Sequence, residues 1–495
     1  MAAKTVPKAY NITVGNCLWQ LLFFNTFTTR RKEGICMTSL LQRVFHLQEY
    51  HTDVKTEVVA GITTFMTMAY ILAVNPSVLA VSGMDSGAVF TATALSACLA
   101  TILMAVFSNY PFVLAPGMGL NAFFAYTVVK QMGYSWQVAL AAVFVEGIIF
   151  IVLSLTNIRE AIFNCIPQSL KFGVTCGIGL FIAFIGLQNA KLVVDGSTLV
   201  AIYPFKAAIE DGRIFSEGMG ALLALVGIIL TVILLVRKVP GAILIGILAT
   251  WGIGIVCQLV GLYVPNPELG MYSVLPDLSA GFSIPSISET FFKMDFTGLL
   301  SFNFVTIMLS FLFVDLFDTL GTLIGVASKA DMLDAEGKLP KIKGALLADA
   351  IGTTAGAMLG TSTVTTFVES SSGVVAGGRT GLTSVVSALL FGLSLFLSPI
   401  FLAIPSFATA PALVVVGFMM LETIVKINFD DMSEAVPAFI ATIAMPFMYS
   451  ISEGISLGVI SYVFINLISG KVKDKKIHWL MYVLAIVFIL KYIFV

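Results

Sequence analysis

The chain predicts an all-α polytopic membrane protein of about 14 transmembrane segments in 7+7 inverted repeats. Three observations point there: composition, the regular return of long apolar stretches, and two broken stretches at matching positions of the two halves. Of 495 residues, 58% are hydrophobic and 11% charged, and the mean hydropathy is +0.99. A soluble domain carries about 25% charged residues. The net charge of −1 offers nucleic acid no electrostatic purchase. The six cysteines are scattered, only three His are present, and no Cys/His spacing suggests a metal, so no metal and no cofactor is expected.

Taken in order, residues 1–36 read as a non-essential N-terminal extension. NCLWQLLFFNTF is too short to span and lacks a small-residue cleavage site. Residues 37–56 form an amphipathic lead-in on the cytoplasmic side. Spans then fall at 57–80, 88–107, 112–129 and 136–155, then at 170–188, 219–237 and 240–260. A loop at 261–302 separates these from 303–327, 343–360, 363–377 and 381–402, and then from 408–426, 434–449 and 452–469. A last apolar helix occupies 477–495. Asn75-Pro76 predicts a kink in the first span.

The third and tenth stretches are poor helices. YPFVLAPGMGLNAFF carries Pro111, Pro116, Gly117 and Gly119, and TSTVTTFVESSSGVVAGG is rich in Ser, Thr and Gly. Irregular backbone at bilayer depth survives only where protein or a watery cavity satisfies it, and a matched pair of broken segments points to a transporter's binding site. The segments from Ala97 and from Ala348 repeat one pattern: a small-residue helix, a short break, then an irregular run. Seven spans per half make such repeats inverted. Lys and Arg cluster after the even-numbered spans, at Arg159, Arg237, Lys238, Arg379 and Lys426, whereas the loop on the opposite side holds one Lys and no Arg. This predicts a cytoplasmic N-terminus in the plasma (inner) membrane.

Asp318 and Glu369 lie inside apolar stretches, flanked by Thr, Ser and Gly. An ionised acid at that depth costs roughly 3 kcal/mol on insertion scales, and such residues usually face a substrate or proton path. The relief is protonation, or a ligand with N–H donors. Both acids are therefore candidates for ligand binding and proton coupling. Asp315 and Thr322 are accessory candidates on the same helix, with Thr322 on the face of Asp318. Ser370, Ser371 and Ser372 are expected to cap a half-helix after Glu369. Asn121 supplies donor and acceptor, and Gly119 permits close backbone approach. Thr366, Ser370 and Phe367 complete the expected binding set, with Phe367 placed to stack on a planar ligand.

At these residues the chain resembles a known family. GITTFMTMAYILAVNP, LAPGMGLNAFF, FVDLFDTLGTLIG, GTSTVTTFVESSSGV, GGRTGLTSVV and PALVVVGFMM look like the nucleobase–cation symporters of the xanthine/uracil permease group, in the AzgA-like hypoxanthine/guanine/adenine branch. The resemblance implies a core domain (57–155 and 303–402) and a gate domain (170–260 and 408–469), with short strands in the third and tenth segments. It places the family's acids at Asp318 and Glu369 and its polar residue of the third span at Asn121. Uracil-type relatives have a Glu where Asp318 stands and a His where Thr322 stands, so a proton role of that His does not transfer. The resemblance thus implies a proton-coupled importer of purine bases working by alternating access, with dimerisation as a further expectation. The alternative is an anion transporter of the sulfate/bicarbonate type, for which paired half-helix N-termini suffice and cavity acids are unfavourable. No nucleophile–base pair or phosphate loop suggests an enzyme.

Overall fold

The computed structural model describes residues 41–156, 165–197, 199–266, 271–276, 283–298, 301–329, 332–333, 339–470 and 477–494. The expected extension 1–36 lies outside them, as do Arg159 and the basic run 471–476.

The first span comprises α1 (Val54–Met68) and α2 (Ile71–Ala80). Asp53 starts it by accepting from Thr56 N–H. Its interruption falls at Ala69–Tyr70, upstream of the expected site, and Pro76 sits inside α2. Proline leaves the carbonyl four residues earlier without a donor, and the helix yields on that side. Next come α3 (Ser86–Ser108), β1 (Leu114–Pro116) and α4 (Met118–Ala122), which continues as a π-helical run over Phe123–Gln131. The first half continues through α5 (Trp136–Leu155), α6 (Gln168–Asn189), the hairpin β2 (Val193–Gly196) and β3 (Leu199–Ile202), and α7 (Phe205–Glu210). It closes with α8 (Met219–Val236) and α9 (Ala242–Leu259).

The second half opens with α10 (Phe302–Lys329) and α11 (Ile342–Leu359), succeeded by β4 (Val364–Thr366) and α12 (Ser370–Val375). The chain then forms α13 (Gly381–Ser394), α14 (Ser398–Leu402), α15 (Ser406–Leu421), α16 (Met432–Phe447), α17 (Ile451–Ile468) and α18 (Trp479–Phe494). Among the described residues, ten helices are long and apolar enough to cross a membrane. The remaining expected spans carry shorter or less apolar helices.

Packing divides most of these helices into two groups. In one, α11 lies along α3 and α5, and α13 along α3 and α1. In the other, α15 and α16 lie along α6, with α8 and α9 outside them and α17 beside α16. Contacts between the groups are sparse and run through α6 and α10, and where α9 meets α1 and α15 meets α2. Inside the second group α6 and α15 cross at bare backbone: a Cβ on Gly417 would collide with the Gly179 carbonyl oxygen. Only glycine fits there.

Candidate functional site

The two broken segments meet. Pro111 and Pro116 exclude a regular helix, and the β-branched run TSTVTT favours extended backbone. β1 and β4 pair antiparallel with Leu114 opposite Thr366, Ala115 opposite Thr365 and Pro116 opposite Val364. Gly117 N–H reaches Thr363 O at 2.9 Å, and Phe367 N–H reaches Val113 O at 3.1 Å. The outer edges of this small ladder are closed by one device used twice. Thr101 of α3 donates its hydroxyl to Leu114 O at 3.2 Å and accepts from Leu114 N–H at 3.0 Å. Thr353 of α11 does the same for Val364, at 3.0 and 3.2 Å. The outward backbone groups of Leu114 and Val364 are thereby satisfied from within the protein.

Glu369 stands at the junction of β4 and α12, nine-tenths buried at 8% exposure. It occupies the N-cap position, yet its side chain makes no cap hydrogen bond. Its Oε1 instead accepts from the Tyr70 hydroxyl at 2.7 Å. A plain capping role is therefore not what the carboxylate performs. The expected serine cap is also corrected: Ser370 Oγ accepts from Val113 N–H at 3.0 Å, tying α12 to the chain entering β1. That backbone donor, left over before the strand, outcompetes the helix's own.

Asp318 projects from α10 toward the strand pair, where its Oδ2 accepts from Thr365 Oγ1 at 3.2 Å. A Cβ added at Gly117 would lie 2.7 Å from that threonine oxygen and 3.3 Å from Asp318 Oδ2. Gly117, Thr365 and Asp318 therefore share one side of the β1–β4 pair, and the missing side chain keeps room there. Asp315 points elsewhere. Thr319 Oγ1 lies 2.7 Å from Asp315 Oδ1 and 2.8 Å from Asp349 Oδ1, all three residues being fully buried. Thr322 is buried on the same helix as Asp318.

The other expected residues have identifiable neighbours. Asn121 is fully buried; its Oδ1 accepts from Ser362 Oγ and its Nδ2 donates to Pro116 O at 3.4 Å, so the amide braces one broken segment against the other. Gly119 faces α6, where an added Cβ would meet Ile178 Cγ2 at 2.7 Å. Phe367 is 6% exposed. Thr366 is buried, and its hydroxyl has no hydrogen-bond partner among the described residues. Phe123 and Phe124 pack against Phe311 with ring centroids 4.8 and 6.3 Å apart.

Sequence reasoning missed Tyr70, Thr365 and Asp349. A tyrosine in an apolar span was the available signal, since a buried phenol needs a partner. Another buried acid, Glu146, accepts from Thr363 Oγ1 at 3.0 Å and so belongs to the same crossing.

Two short helices brought together by paired strands inside long apolar helices, with carboxylates at the crossing, define an integral membrane transporter. The chain belongs to the Permease family, whose model matches residues 55–457. It is 42% identical to the adenine permease AdeP of Escherichia coli, over 92% of this chain and 96% of that one. It is 44% identical to the guanine/hypoxanthine permease PbuG of Bacillus subtilis, over 92% of this chain and all of the relative. The fold is shared with the transmembrane domain of a cyanobacterial bicarbonate transporter, BicA, at a TM-score of 0.57 and 13% identity over 82% of this chain and 97% of that domain. The motif resemblance to the xanthine/uracil permease group is borne out, and the protein is a permease rather than an enzyme.

Proposed function

We propose that this permease imports purine nucleobases by proton symport, with Glu369 as the principal ligand of the base. The carrying observation is a carboxylate at a broken segment whose side chain is held by a phenol rather than by a cation or a helix cap. A purine such as hypoxanthine or guanine is flat and uncharged and offers N–H donors beside carbonyl acceptors. A carboxylate accepts such N–H groups, and Asp318 beside Gly117 supplies a second acceptor. The names of the adenine and guanine/hypoxanthine relatives support the purine class.

In this reading Asp318 carries the coupling proton, and Thr366, Ser370, Phe367, Asn121 and Gly119 shape the site. The two helix groups act as core and gate domains of a 7+7 inverted repeat. The matching threonine clasps at Thr101 and Thr353 support the repeat. Rocking of one group on the other gives alternating access. The N-terminus faces the cytoplasm, and pairing of gate domains would give a dimer. The bicarbonate-transporter likeness concerns fold; acids at the crossing disfavour an anion.

The test is Glu369→Gln, which keeps the shape and replaces one acceptor by a donor. Purine binding to the purified protein is expected to weaken by about 2–4 kcal/mol, a lost charge-assisted hydrogen bond plus an unpaired group. Unchanged purine affinity overturns the assignment.

A further inference from the structure

We infer that Tyr70 is a positioning residue that fixes the plane of the Glu369 carboxylate and so sets how the site ranks bases that differ in their N–H edge. The inference rests on the reading of Glu369 as the base ligand. Tyr70 is fully buried and sits where α1 gives way to α2. Its backbone carbonyl accepts from Ala73 and Val74 N–H at 3.0 Å each, which anchors the residue to the start of α2. A ring so enclosed has no other rotamer to visit without repacking the core. Its hydroxyl meets Glu369 Oε1 at 2.7 Å, the range of a charge-assisted O–H···O bond.

Glu369 needs such a tether. Its helix is six residues long and its carboxylate is not turned back as a cap. Without the phenol the side-chain torsions would be free to choose among rotamers. With the phenol in place, Oε1 is engaged by another side chain, and among the described residues no second side chain donates to the carboxylate. The carboxylate therefore has its plane set from the protein side and keeps lone pairs for a ligand.

The chemical consequence concerns guanine and hypoxanthine. Both carry N1–H on the pyrimidine edge, and guanine adds an exocyclic amine beside it. A carboxylate with both oxygens free takes that adjacent pair in two parallel bonds. One held by Tyr70 shares Oε1 between phenol and base, and takes the pair only if the base lies in the plane that the phenol sets. Removing the hydroxyl releases Oε1, which favours guanine while offering hypoxanthine nothing new.

The experiment measures guanine and hypoxanthine dissociation constants on the purified full chain for wild type, Tyr70→Phe, Tyr70→Leu and Glu369→Gln. Tyr70→Phe keeps the ring and removes the donor. The expected result is a shift of the affinity ratio toward guanine by about fivefold or more, the scale of one hydrogen bond. Tyr70→Leu provides the same readout if the phenylalanine variant does not fold. A ratio within about twofold of wild type, or equal weakening of both bases, overturns the inference and leaves Tyr70 a packing residue. Normal purine affinity in Glu369→Gln instead overturns the reading of the site itself, so the two failures are separable.

Discussion

The Thr319 hydroxyl touches carboxylate oxygens of both Asp315 and Asp349, at 2.7 and 2.8 Å. A hydroxyl has one proton and can donate to one of them. Both contacts are hydrogen bonds when the other carboxyl carries a proton and donates to Thr319. Asn at position 349 can supply the same donor, whereas Ala cannot. Asp349→Asn is therefore expected to keep thermal stability within about 1 kcal/mol and Asp349→Ala to lose about 2–3 kcal/mol, read from unfolding of the purified protein. Equal losses would show that the charge of Asp349, and not the donor, is needed. Asp318 makes a different case, because its Oδ2 accepts from the Thr365 hydroxyl on the side of the strand pair that Gly117 keeps open. In proteoliposomes, Asp318→Asn is expected to retain exchange of base for base and to lose accumulation driven by a proton gradient. Retained accumulation moves the coupling role to another acid. Asp318 and Glu369 were legible as residues because acids in apolar runs are anomalous. Tyr70 and Thr365 were not, since each is an ordinary residue until a partner from another segment faces it.

Among the elements, the crossing depends on how its ends are held. Glu57 of α1 is fully buried and accepts from Arg379 N–H at 2.8 Å, Thr380 N–H at 3.3 Å and Thr383 N–H at 3.2 Å, and from Thr383 Oγ1 at 2.6 Å. It thereby serves the N-terminal turn of α13. The Arg379 guanidinium in turn donates to Val374 O at 2.6 Å and Gly378 O at 2.8 Å, closing the end of α12. Glu57→Ala leaves these backbone donors unpaired in the interior and is expected to cost about 3 kcal/mol or more. Fluorescence-detected melting of Glu57→Ala against Glu57→Gln, which keeps an acceptor, checks it: a melting point lowered equally in both would assign the effect to charge. Gly117→Ala should act differently. Its methyl group would press on Thr365 and Asp318, so purine binding falls by about tenfold or more while the fold persists. The broken segments themselves were readable from proline, glycine and β-branched residues. Their pairing was not, because strand partners about 250 residues apart leave no local signature.

For the whole molecule, stability within the second helix group rests on glycine contacts such as Gly179 against Gly417. Gly417→Ala drives a methyl into a carbonyl oxygen and is expected to destabilise by about 1–3 kcal/mol, with purine binding preserved in what remains folded. Thermal melting with and without a purine measures both. A chain beginning at Met37 is expected to express and bind purines as the full chain does. The family match beginning at residue 55 supports this. Loss of folding in that truncation would make 1–36 an integral part of the protein.

By itself the sequence determined membrane residence, the helical class, the two interrupted segments and the two acids worth testing. Each of these is a local or compositional property: hydropathy over a span, a proline in its middle, a carboxylate among apolar neighbours. Tertiary structure decided the rest. It turned Asn121 into a brace through Ser362, sent the Ser370 hydroxyl to Val113 instead of to its own helix, and gave Glu369 a phenol from the first span. A buried polar group takes whichever partner the fold brings within about 3 Å, and that partner is set by chain segments far away in sequence.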